Sequence, residues 1–125
     1  MPIQAGAGAA VTMTVSSADT AVALRSGSVP VLATPRLLAL CEEAAVNAVA
    51  AALDPDTTTV GVQVMLDHVS PSPVGREVTA EATLEKVAGR KLFFTVSARD
   101  ERGLVAAGRV IRVVVDENRF LDKCH

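Results

Sequence analysis

The apolar positions of the chain depart from a period of two in one long segment. Over residues 34–53, "TPRLLALCEEAAVNAVAAAL", they recur at three- and four-residue steps, which predicts the one long helix. Thr34 suits an N-cap with Pro35 at the first helical position, and "DPD" (54–56) ends the segment. Elsewhere the period is two. "AVTMTVSS" (10–17) reads as a first strand, and segments near 58–69, 76–88, 91–100 and 104–116 read as four more. The breaks "SPSPVG", "AGRK" and "DERG" are short enough for hairpins or tight loops. Residues 18–31 combine a helical turn with a Gly/Ser/Pro loop, and residues 1–9 are expected to be flexible.

One apolar helix beside about five strands buries itself only where the sheet wraps round it. The element order therefore predicts an α+β hotdog fold, an antiparallel sheet of about five strands around one long central helix, in a single domain over 1–125. A single sheet leaves an edge strand open, so a homodimer through sheet edges is expected, with a dimer of dimers left open.

Composition narrows the function classes. Half the residues are hydrophobic but only three are aromatic, so the core rests on Val, Ala and Leu. A net charge of −2 with interspersed signs argues against a nucleic-acid partner. No apolar run approaches the roughly 18 residues of a membrane span, and the start lacks a signal-peptide pattern. Cys41 and Cys124 lie far apart, which speaks against a disulfide framework and for a cytoplasmic setting.

Candidate chemistry begins with "CEE" (41–43) inside the helix. At 100° per residue from Leu37, the residues Leu37, Cys41, Ala44, Ala45, Ala48 and Ala52 define the core stripe. Glu43 falls in the polar sector beside Arg36 and Asn47, whereas Glu42 falls among Leu38, Val46, Val49 and Leu53. A carboxylate there is either a boundary residue paired with a base, or a catalytic group adjusted by its surroundings. In "TVGVQVMLDHVSP", strict alternation sets Val60, Val62, Val64 and Leu66 on one face, continued by His68 at the strand end. His68 reads as a rim histidine or as an acid–base partner for Glu42. Arg112 shares a face with Val110 and Val114 and needs an anion there, a carboxylate such as Glu42 or an anionic ligand. No HxH, HExxH or CxxC spacing supports a metal site, and no P-loop, GxGxxG fingerprint or GxSxG elbow occurs.

Together, "PVLATPRLLALCEEAA", "TTTVGVQVMLDHVSPSPVG", "GRKLFFTVSARDERG" and "AAGRVIRVVVDENRF" resemble the hotdog thioesterase group that includes the fluoroacetyl-CoA thioesterase, over roughly residues 10–122. The resemblance implies Thr34, Glu42 and His68 as the catalytic set, with Gly61 and Arg112 shaping the acyl pocket, at a dimer interface. It implies an acyl-CoA thioesterase acting on a small or medium acyl group, with coenzyme A as part of the substrate and no other cofactor. One stretch departs from the group: "RSGSVPVLAT" (25–34) has none of the phenylalanines that form the lid of the fluoroacetate enzyme. The alternatives are a non-catalytic acyl-CoA-binding hotdog module and, more remotely, a hydratase.

Overall fold

A computed structural model describes residues 2–125. The strands are β1 (Gly8–Thr14), β2 (Thr57–His68), β3 (Glu77–Ala88), β4 (Lys91–Asp100) and β5 (Gly103–Asp116), and the helices are α1 (Thr34–Val49) and α2 (Glu117–Asp122). All pairings are antiparallel, and the sheet order is β1-β3-β4-β5-β2. The sheet wraps α1 in the hotdog arrangement that the element order predicts.

The core forms between α1 and the alternating inward residues of the sheet. Leu37, Leu40, Cys41, Ala44, Ala45 and Val49 are buried against Val78, Ala80, Ala82 and Leu84 of β3 and Leu92, Phe94 and Val96 of β4. Each fully buried Leu, Val or Phe contributes about 1.5–3 kcal/mol relative to exposure. The helix packs chiefly on β1 and β3, so the β5–β2 end of the inner face is less covered. Val64 is exposed and Leu66 half-buried there, although both lie on the helix-facing side. The candidate chemistry sits at this open end.

Several local expectations are corrected. Ala33, not Thr34, is the N-cap; Thr34 is the first helical residue and its hydroxyl serves elsewhere. The helix tightens into a 3-10 turn at Ala50–Ala52. Leu40 and Val49 are fully buried while Ala48 and Ala52 are only half-buried, because the sheet covers a wider arc than the wheel stripe. The first strand starts at Gly8, Gly6 N–H donates to the Leu84 carbonyl at 2.7 Å, and Ile3 and Ala7 pack on the core. Residues 8 and 9 of the segment expected to be flexible thus belong to β1; Met1 lies outside the described residues. The short α2, whose N-cap Asp116 accepts from the Arg119 N–H at 2.9 Å, was not anticipated.

The largest correction concerns β2. Gly61 pairs with Arg112 and Gln63 with Ile111, which leaves Val62 as the extra residue of a β-bulge. The strict alternation across 60–68 is therefore broken. Val64, Leu66 and His68 share the inner face as expected, but on the other side of the bulge Thr59 and Gly61 face inward and Val60 faces out.

Candidate active site

The site consists of two hydrogen-bonded groups set along α1. At the helix start, Thr34 Oγ1 lies 2.8 Å from His68 Nδ1. Thr34 occupies the first turn of α1 and His68 the last position of β2, so a helix N-terminus and a strand end bring them together. Burial lowers the His68 pKa from 6.5, opposed in part by the Ser70 backbone, so the ring is neutral near pH 7. Its Nε2 is buried with no hydrogen-bond partner among the described residues. With the ring proton on Nε2, Nδ1 accepts the Thr34 hydroxyl proton; the other tautomer donates to the hydroxyl.

Two turns further along α1, Glu42 Oε2 accepts from Arg112 Nη1 at 3.0 Å. The arginine side chain is 9% exposed and the glutamate side chain 32%. The buried strand face thus holds the cation, and the helix flank leaves its carboxylate half open. Burial lowers the pKa of Arg112, and Glu42 opposes this by charge and hydrogen bond. Gly61 lies directly across from Arg112 in the strand register. A Cβ at Gly61 would sit 2.6 Å from Glu42 Oε2 and 3.2 Å from Arg112 Nη1, so the ion pair occupies space that only glycine leaves free.

Every sequence-expected residue therefore lies in one of the two groups. Thr34 meets His68, and Glu42 meets Arg112 over Gly61. Among the described residues no hydrogen bond joins the groups, in keeping with the ~12 Å that eight helical residues span. Glu43 is exposed, as the wheel places it. Cys41 is buried, and burial followed by the Glu42 charge pushes its thiol up to about 11, which removes it as a nucleophile. Thr59 was missed: it is 6% exposed and accepts from Arg112 Nε at 3.0 Å. Among the described residues no group of three His, Cys, Asp or Glu is placed to hold a metal.

Beside Thr34 and His68 opens a cavity of about 320 Å³ whose apolar wall includes Val29, Val31, Leu32 and Val69. In the first turn of α1, Arg36 Nε donates to Asp19 at 3.1 Å. The Ser16 backbone N–H, the Ser16 hydroxyl and Arg36 hold the Asp19 carboxyl below its usual range against a smaller effect of burial.

A five-stranded antiparallel sheet wrapped round one helix, with polar groups at the helix start and flank, defines a hotdog-fold protein. A thioesterase superfamily member from Thermus thermophilus shares the fold at TM-score 0.89 and 26% identity, covering 97% of this chain and 90% of that one. Residues 15–118 match the family described as FlK, fluoroacetyl-CoA-specific thioesterase, and the chain belongs to that family. The fluoroacetyl-CoA thioesterase of Streptantibioticus cattleyicolor is 34% identical over 90 residues, or 72% of this chain; the match spans 65% of that enzyme's length. A solved structure of the fluoroacetyl-CoA thioesterase FlK superposes at TM-score 0.94 and 28% identity, covering 99% of this chain and 96% of that one. Among the described residues no helix is long and apolar enough to cross a membrane.

Proposed function

We propose that this protein hydrolyses small or medium acyl-CoA thioesters, with Thr34, Glu42 and His68 as catalytic groups and Gly61 and Arg112 shaping the site. The carrying observation is the Glu42 carboxylate, oriented by a single charge-assisted bond to a buried arginine yet half open. Glu42 either takes a proton from an attacking water or attacks the thioester carbonyl itself to give an acyl anhydride that water then hydrolyses; in both routes a C–O bond replaces the C–S bond and Glu42 is regenerated. The proton that water releases reaches the departing thiolate through the Thr34–His68 pair, whose neutral ring can accept it. Pro35 has no N–H, so Thr34 and Arg36 present the first-turn backbone donors available to a developing oxyanion. Coenzyme A enters as part of the substrate, and no separate cofactor or metal is invoked. The aliphatic wall of Val29, Val31 and Leu32 suits a short, unbranched or branched acyl group without selecting for fluorine.

The same reading includes a homodimer that pairs along the open edge of β2, where Val62, Val64 and Met65 are exposed. Such pairing brings two sites together and offers Glu42 of one protomer to the Thr34–His68 pair of the other. A reducing cytoplasm fits the free Cys41 and Cys124. The test is thiol release across acyl-CoAs of increasing chain length. Turnover that is greatest for short chains is expected. Thermal stabilisation by acyl-CoA without thiol release over hours would assign a non-catalytic binding module instead.

A further inference from the structure

The Arg112 guanidinium is held on two sides. Toward α1, Nη1 donates to Glu42 Oε2 at 3.0 Å. Away from it, Nε donates to Thr59 Oγ1 at 3.0 Å and Nη2 to the Thr59 carbonyl at 2.9 Å. One residue therefore engages two of the fork's nitrogens, with a side-chain and a backbone acceptor. Thr59 is buried and precedes Gly61 by two on the same face of β2, so the fork lies across Gly61 with Thr59 at one end and Glu42 at the other.

We propose that Thr59 is a positioning residue for Glu42: its hydroxyl and carbonyl lock the plane of Arg112, leaving Nη1 as the edge aimed at the carboxylate. A guanidinium on a flexible stem otherwise has several rotamers and five equivalent-strength donors, and a lone contact to Glu42 would fix neither. The carbonyl alone leaves Arg112 free to pivot about the Nη2 bond. The added hydroxyl makes the grip two-point, and a two-point grip sets a plane. The β-bulge at Val62 takes part, because without its extra residue the parity that puts Thr59 inward would not coexist with an inward His68. Thr59 does not line the Thr34–His68 cavity, and among the described residues its hydroxyl hydrogen-bonds Arg112 alone.

The catalytic consequence rests on the hydrolase reading; the clamp itself does not. The test uses Thr59→Val, which removes the hydroxyl but keeps the carbonyl, and Thr59→Ser, which keeps both acceptors. In ¹H–¹⁵N spectra the Arg112 Nε–H signal is expected to be slowly exchanging in wild type and Thr59→Ser, and fast or lost in Thr59→Val. With acetyl-CoA as probe, Thr59→Val is expected to lower kcat about 30-fold with KM within about threefold, and Thr59→Ser to stay within about threefold of wild type. An unchanged Nε–H signal in Thr59→Val overturns the clamp. A Thr59→Val kcat equal to wild type, or an equal loss in Thr59→Ser, overturns the positioning role. Absence of turnover in wild type removes the hydrolase reading and leaves the Nε–H signal to decide the clamp.

Discussion

Two of the arginine–carboxylate pairs, Arg76–Asp100 and Arg112–Glu42, have opposite asymmetry. In Arg76–Asp100 the carboxylate is the covered partner, 2% exposed against 17% for the arginine. Asp100 accepts from Ser72 Oγ at 3.0 Å, from the Arg102 N–H at 2.8 Å and from Arg76 at 3.5 Å. In Arg112–Glu42 the arginine is the covered partner, and Glu42 accepts one hydrogen bond among the described residues. A carboxylate ringed by donors is stabilised as an anion and has little acceptor capacity left for chemistry. One held at a single oxygen is oriented but still free to accept a proton or attack. Asp100 accordingly reads as a fastener that ties the loop after β2 to the end of β4, while Glu42 reads as a working group.

Substituting each carboxylate by its amide tests that contrast most severely. Glu42→Gln keeps the shape and is expected to lower kcat/KM by about 10³-fold while the fold survives. Asp100→Asn should do the reverse, weakening folding by about 1–3 kcal/mol and leaving the folded fraction within about threefold of wild-type activity. Thiol-release kinetics and chemical denaturation on the two variants supply the four numbers. If Asp100→Asn lost activity beyond its loss of fold, the distinction between fastener and working group would collapse.

Two of the closely packed glycines divide in the same way. A Cβ at Gly61 would press on the far ends of the Glu42 and Arg112 side chains. A Cβ at Gly108 would meet the Met65 carbonyl and, at 2.9 Å, the Leu66 Cα, which are backbone. Side-chain tips can swing, so Gly61→Ala is expected to cost about 10–100-fold in kcat with little change in stability. Backbone cannot yield without parting β2 from β5, so Gly108→Ala should cost about 3 kcal/mol of stability. Equal losses of stability in both variants would show that the ion pair is part of the packing and not a movable site.

These contrasts show what the sequence carries and what it does not. The helix, five strands and their turns were readable because burial on one face imposes a period, and Glu42, His68 and Arg112 each broke a local apolar pattern. Thr34 was misread as a cap, since a hydroxyl at a helix start fits either role until its partner is known. The β2 parity was misread because alternation was carried straight through Gly61, although an isolated glycine inside a strand is itself a bulge signal. Thr59 was lost with it: in a Thr-Thr-Thr run, nothing but the position of the bulge says which hydroxyl faces in. Which carboxylate is ringed and which is open depends on loop contacts from Ser72 and Arg102, and these have no sequence period at all.

The smallest effect separates the sites by pH. Burial lowers the His68 pKa from 6.5, so between that lowered value and 6.5 the unfolded chain holds a proton that the folded chain does not. Stability at this residue therefore falls as pH drops through that window, and His68 adds no slope above it. Asp100 is shifted in the same direction but titrates in a lower window: burial raises its pKa, but the Arg102 N–H, Ser72 and Arg76 together bring it below 3.8. Its contribution is present above 3.8 and is lost only as pH falls through the lower folded value. His68→Gln should thus flatten the loss of stability that begins just below pH 6.5, and Asp100→Asn should leave that limb alone. The acid limb of kcat/KM should likewise lie below pH 6.5, because a neutral ring is the form that accepts the Thr34 proton. An NMR titration of the His68 ring with a midpoint at or above 6.5 would remove both the stability limb and the assignment of a neutral base to the Thr34 pair.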